Sequence, residues 1–193
     1  MIEKSAYPML AISALIAIVL IPVYLPISLF FIFFAIFTAY FFRDPERKIE
    51  DGVVSPADGK IDVVHGNKLE IFMSPFDCHV NRAPVRGEVL RIIFHEGKLI
   101  PAYKKQKGVR MNEITIKAED GIFKVVQVAG IFARRIVCYL REGERVEKGA
   151  KIGLIRFGSR VILEIPEGYR FIRKKGEKIK AGETVAVKNE DIS

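Results

Sequence analysis

The chain changes character once, near residue 43. From residue 6 to residue 42 it is almost wholly apolar, and Glu3 and Lys4 are the only charged side chains in residues 1–42. The run Phe30-Phe31-Ile32-Phe33-Phe34 leaves no polar face, unlike a surface helix with one wet side. Pro22 and Pro26 bracket Val23-Tyr24-Leu25 and divide the stretch into residues 7–21 and 27–42. Proline interrupts helices, so two short helices joined by a tight turn are expected. Each falls slightly short of the ~20 residues of a full crossing, so this N-terminal α-helical hairpin is expected to be transmembrane or re-entrant. It is too long for a signal peptide and no small-residue cleavage site follows, so it is expected to remain.

From residue 43 to 193 the pattern becomes short apolar runs separated by turn residues, with little helical periodicity. Val53-Val54-Ser55 and Lys60-Ile61-Asp62-Val63-Val64 flank Pro56-Ala57-Asp58-Gly59, which reads as a hairpin turn. Further strands are expected at 69–73, 89–94, 113–118, 122–129 and 135–140, with a basic loop over 101–110. Gly143-Glu144-Arg145-Val146-Glu147-Lys148-Gly149 recurs in type as Gly176-Glu177-Lys178-Ile179-Lys180-Ala181-Gly182. Two copies do not make a solenoid. The expected fold is mainly β, a sandwich or barrel-like domain with a lipoyl/biotinyl-like repeat, in two parts: 1–42 as membrane anchor and 43–193 as β-rich body.

The net charge of +8 lies on the body, because the anchor's two charges cancel. A basic surface fits an anionic partner such as phospholipid headgroups, or a Lys/Glu-rich surface without ligand meaning. Nucleic acid is not expected: no aromatic stacking platform accompanies the basic residues. Cys78 and Cys138 do not have disulfide-framework spacing, and Cys78 with His79 would point to opposite faces of a strand, so no metal site is expected. Arg43, Arg47 and Lys48 after the second helix, and Lys4 before the first, place the body on the cytoplasmic side of the cell membrane.

Two passages break the plain strand pattern. Ser74-Pro75-Phe76-Asp77-Cys78-His79-Val80-Asn81-Arg82-Ala83-Pro84 is polar and closed by proline at both ends; alternation aligns His79 with Asn81 and turns Arg82 away. Gly158-Ser159 interrupts two apolar runs, where glycine marks a bulge or a close backbone approach. A serine hydroxyl is a weak nucleophile unless a base and a reactive acyl carbon meet it, so Gly-Ser alone carries little. His65 and His95 read as exposed loop residues.

Together, Phe42-Arg43-Asp44-Pro45, Ser55-Pro56-Ala57-Asp58-Gly59, Met73-Ser74-Pro75-Phe76-Asp77-Cys78-His79-Val80-Asn81 and Arg156-Phe157-Gly158-Ser159-Arg160 resemble, in order, the short form of the pyruvoyl-dependent phosphatidylserine decarboxylases. The resemblance implies that Ser159 attacks the Gly158 carbonyl, that the chain is cut into 1–158 and 159–193, and that Ser159 becomes a covalent pyruvoyl cofactor. That group would form a Schiff base with a serine phospholipid, archaetidylserine or phosphatidylserine, and release CO2 to leave the ethanolamine lipid. His79 is the matching proton donor, and Asp58 would hold that histidine or assist Ser159. The two chains would stay associated, with a higher homo-oligomer left open. Longer members carry a second histidine where this chain has Arg82, which leaves the self-cleavage base open; His79 can serve both steps. Arg82 is a candidate for the lipid phosphate. The competing expectation is a membrane-tethered, lipoyl-like adaptor without catalysis.

Overall fold

The computed structural model describes residues 2–97, 108–130, 136–155 and 159–189. The expected basic loop at 101–110 and the arginine-to-glycine part of the Gly158-Ser159 motif fall mainly or wholly outside these residues. Contacts divide the chain into two compact units, Met1–Glu46 and Arg47–Ser193.

The first unit is a helical hairpin. A 3-10 turn at Lys4–Ala6 leads into α1, Tyr7–Leu20, and a short link leads into α2, Leu25–Phe41. Pro22 lies in the link, whereas Pro26 sits in the first turn of α2, where its missing N–H would have no helical partner in any case. The two ends meet, for Ile2 bridges Arg43 in antiparallel fashion. Hydroxyls face inward: Ser13 Oγ donates to the Met9 carbonyl at 2.8 Å, and Ser28 Oγ donates across to Ala17 at 2.8 Å. Many large apolar side chains point out, with Leu15, Ile18 and Phe33 about two-thirds exposed, whereas Phe41 and Phe42 at the end of α2 are buried. The transmembrane form of the expected hairpin is not confirmed. No helix among the described residues is long and apolar enough to cross a membrane. At 1.5 Å per residue the two helices rise only about 21 and 26 Å, against ~30 Å of hydrocarbon.

Among its described residues the second unit has fourteen strands: β1 Val53–Val54, β2 Gly59–His65, β3 Lys68–Met73, β4 Val80–Arg82, β5 Gly87–His95, β6 Met111–Ala118, β7 Gly121–Ala129, β8 Ile136–Cys138, β9 Arg145–Val146, β10 Lys151–Ile155, β11 Ser159–Glu164, β12 Tyr169–Phe171, β13 Lys178–Ile179 and β14 Thr184–Lys188. They form an eight-stranded sheet of order β13-β2-β3-β11-β7-β6-β5-β9 and two three-stranded sheets, β4-β10-β8 and β1-β14-β12. Alternation explains the core: Ile114 and Ile116 of β6, Phe123 and Val125 of β7, and Val161 and Leu163 of β11 are all buried.

Three expectations change at this level. The large sheet is open, with β13 and β9 at its edges, so no barrel closes. Val53-Val54 and the strand from Gly59 do not form a hairpin: β1 pairs with β14, while β2 pairs with β3 and β13. The intervening Pro-Ala-Asp-Gly segment instead crosses between sheets, and a Cβ at Gly59 would lie 2.2 Å from the Phe72 carbonyl oxygen, so only glycine permits that approach to β3. His65 and His95 end β2 and β5 rather than lying in loops. A lipoyl/biotinyl-like fold for the repeat is not confirmed, and what the two copies share is a local turn. The Arg141 N–H donates to the Glu144 carboxylate and the Lys174 N–H to the Glu177 carboxylate, both at 3.0 Å, so each copy opens on the same glutamate-capped turn.

Candidate active site

Ser159 is the first residue of β11, in the middle of the large sheet. It stands opposite Met73 of β3 on one side and Ala129 of β7 on the other. The parity that buries Val161 and Leu163 also turns Ser159 inward, and it is fully buried. Its Oγ donates to Met73 Sδ at 3.2 Å. Arg160 points the opposite way, where its guanidinium meets Asp62 at 2.7 Å and Glu70 at 2.5 Å. That double ion pair, with Arg160 itself largely buried, pins the start of β11 to β2 and β3.

His79 directly precedes β4 and is fully buried. Its Nδ1 lies 2.9 Å from the Asp77 carbonyl, which can only accept. Nδ1 therefore carries the proton in the neutral ring, and Nε2 is the nitrogen that takes up or gives one. The Asp77 carboxylate in turn caps the Ser74 N–H and hydroxyl, both at 2.7 Å, which closes the Ser-Pro-Phe-Asp turn under the histidine. At the other end, the His79 carbonyl accepts from the Ile155 N–H at 3.4 Å. Ile155 is four residues before Ser159, so the chain between them extends at most about 14 Å from a residue bonded to His79.

Asp58 is placed differently. Its Oδ2 lies 2.6 Å from Arg47 Nη2, and its Oδ1 accepts from the Ala181 N–H at 2.8 Å. Neither His79 nor Ser159 is among its hydrogen-bond partners, so the structure does not assemble the serine, histidine and aspartate into one bonded triad. Burial works against the Arg47 charge, but the Asp58 carboxylate outweighs it and the guanidinium pKa is raised. The Cys78 thiol completes this corner beside Arg47; burial, the dominant cause, pushes its pKa up. Arg82 ends β4 with Nη1 donating to the Gly149 carbonyl at 3.0 Å. Gly158 lies outside the described residues.

Sequence reasoning passed over Met73, Asn81, Gln127 and Asn112 as site residues. Gln127 Nε2 donates to Asn81 Oδ1 at 2.8 Å, Asn112 Nδ2 donates to Gln127 Oε1 at 3.0 Å, and all three amides are fully buried. The signal was available in the alternation. Asn112 shares parity with Ile114 and Ile116, and Gln127 with Phe123 and Val125, so both are polar residues at core-facing positions.

A family model described as phosphatidylserine decarboxylase matches residues 34–187. The chain is 62% identical over 192 residues to a protein of Archaeoglobus fulgidus provisionally named an archaetidylserine decarboxylase proenzyme, covering 100% of this chain and 98% of that one. A Methanosarcina barkeri protein of the same provisional name is 43% identical over 77% of this chain and 75% of its own. The phosphatidylserine decarboxylase proenzyme of Desulfotalea psychrophila is 42% identical, with 82% of each chain covered. The chain belongs to the phosphatidylserine decarboxylase family. It is a decarboxylase, and the adaptor alternative is set aside.

Proposed function

We propose that the chain cuts itself between Gly158 and Ser159, converts Ser159 to a pyruvoyl group, and decarboxylates a serine phospholipid to the ethanolamine phospholipid. The observation that carries this reading is the complete burial of Ser159 at the head of a central strand. An ordinary proteolytic cut there would leave an α-ammonium group in the core, and an unpaired buried charge is very costly. A pyruvoyl end carries no charge and fits the same space. The group supplies a ketone that condenses with the substrate amine and accepts the electrons released with CO2.

The residues of this chain do the rest. His79, held through Nδ1 on the Asp77 carbonyl, moves a proton at Nε2: to the substrate carbon that has lost its carboxylate, and from the Ser159 hydroxyl during self-cleavage. Asp58 acts at one remove, as a positioning carboxylate that ties Arg47 and the Ala181 amide together beneath Cys78, the neighbour of His79. Arg82, fixed on Gly149 at the end of β4, is the candidate for the lipid phosphate.

Two chains produced by that cut would be interleaved. In residues 159–193, β11 lies between β3 and β7, β13 pairs with β2, and β14 pairs with β1. Separation would require undoing two sheets, so the products stay together. The hairpin, with its apolar side chains outward and hydroxyls inward, is read as a re-entrant device that holds the enzyme at the cytoplasmic membrane surface, where a lipid headgroup can be presented.

Archaetidylserine is the preferred substrate, on the names of the archaeal relatives. Purified enzyme in mixed vesicles, offered serine lipids with isoprenoid ether or diacyl chains at equal mole fraction, tests it. Faster ethanolamine-lipid formation from the ether lipid is expected, and a preference for the diacyl lipid overturns the assignment. Failure to release CO2 from either would overturn the decarboxylase reading of this site.

A further inference from the structure

A directional file of side chains crosses the core to Ser159. Asn112 donates to Gln127, Gln127 donates to Asn81, and Asn81 Nδ2 reaches Met73 Sδ at 3.8 Å, the same sulfur that accepts from Ser159 Oγ at 3.2 Å. All five side chains are fully buried. A carboxamide has one accepting end and one donating end. Once Gln127 engages the Asn81 oxygen, the Asn81 N–H groups must face Met73 and the corner that holds Ser159. A thioether is a weak acceptor, so among the described residues this buried donor has only a poor partner.

The file needs room, and the sheet provides it. Gly153 of β10 stands opposite Asn81 in the β4–β10 register. A Cβ at Gly153 would lie 2.9 Å from Gln127 Nε2 and 2.4 Å from the Val137 carbonyl oxygen, so a side chain there would displace the link between Gln127 and Asn81.

Self-cleavage exchanges the hydrogen-bonding groups at this corner. Ser159 Oγ forms a bond to the Gly158 carbonyl carbon as the peptide C–N bond breaks and the Ser159 nitrogen takes a proton. The Cβ–O bond then breaks with loss of the α-proton to a base, and the oxygen leaves in the Gly158 carboxyl group. The remaining enamine shifts a proton to its terminal carbon, adds one water and loses ammonia, so the new carbonyl oxygen comes from water and no outside oxidant or reductant is needed. A donor that shared Met73 with Asn81 has disappeared, and an acceptor has replaced it. We propose that Asn81 is the hydrogen-bond donor held for that carbonyl, and that Gln127 and Asn112 are the positioning residues that orient it. This rests on the pyruvoyl reading above.

The test uses full-length enzyme in detergent or lipid, with Asn81→Ala, Asn81→Asp and Gln127→Met beside the wild type. Two chains and a ketone in the wild type are the premise; their absence refutes the pyruvoyl reading itself. Given the premise, Asn81→Ala should still be cut, as read by intact mass. Its ketone band in isotope-edited infrared spectra should move to higher frequency, and trapping by phenylhydrazine should slow by about tenfold or more. Its kcat should fall roughly 10²-fold with KM within about twofold. Gln127→Met should move the same readouts less. Asn81→Asp keeps the shape, and should regain the lower carbonyl frequency as pH falls and its carboxyl gains a proton to donate. An unshifted band and unchanged trapping in Asn81→Ala would overturn the proposal. So would parallel loss of cutting, trapping and thermal stability, which would mark a packing role. If Asn81→Ala does not fold, a pH-independent carbonyl band in Asn81→Asp overturns it.

Discussion

The helical hairpin and the β-rich unit both turn polar side chains inward, but for different ends. In the hairpin, Ser13 and Ser28 bond to helix carbonyls and the exterior is Leu, Ile and Phe. In the β unit the exterior is charged, the interior is Ile, Val and Leu, and several of its buried polar side chains form a file from Asn112 to Ser159. Hydroxyls between helices let the backbones pack in an apolar solvent. Amides in a core already dry gain nothing from packing alone, since a buried polar group is tolerated only when bonded. Inward polarity therefore reads as assembly in one region and as chemistry in the other.

The largest effect should come from removing the proton carrier. His79→Ala is expected to lower kcat by ~10²–10⁴-fold in whatever fraction is cut, while vesicle binding through the hairpin stays at the wild-type level. A kcat within threefold of wild type would break the comparison, because the β unit's buried polar residues would then be structural too. Arg160→Met removes the cation that Glu70 and Asp62 share. Unfolding in urea should lose about 3 kcal/mol, at the low end for a broken buried pair because Asp62 is partly open to water. An unchanged midpoint would mean the ion pair does not hold β11.

On the hairpin, Phe33→Asp puts a carboxylate on the outward face of α2. Sedimentation with vesicles should show binding weakened by about 2.5 kcal/mol, with self-cleavage unaffected. Equal binding would deny that this face meets lipid. The smallest effect concerns Cys78, whose folded-state pKa is raised by burial. The folded protein keeps that proton to higher pH than the unfolded chain does. The stability from this group is thus complete below the unfolded thiol pKa of ~8.5 and is lost as pH rises through the folded value. Thermal unfolding above pH ~8.5 should therefore drop more steeply in the wild type than in Cys78→Ala, and identical slopes would refute it.

Much of this arrangement is written in local pattern. The unbroken apolar run with Pro22 and Pro26 marks the hairpin, and short apolar runs bounded by turn residues mark strands such as β6, β7 and β11. What was not legible depends on long-range pairing. Asp58 looks like a turn residue in sequence, yet its carboxylate bonds Arg47 and, 123 positions away, the Ala181 amide. Nothing near Gly59 says that the strands on either side of Pro56-Ala57-Asp58 belong to different sheets, because that choice is made by β14 and β3. The open sheet has the same cause: closure depends on the edges β13 and β9, two residues each, whose pattern is too short to specify partners.

The account stands or falls on the bond before Ser159. Intact mass of the purified wild type beside Ser159→Ala measures it directly. Chains 1–158 and 159–193, the second beginning with pyruvoyl, should appear in the wild type alone. A single uncut chain in both, with the β unit folded and the hairpin in lipid, would contradict the account.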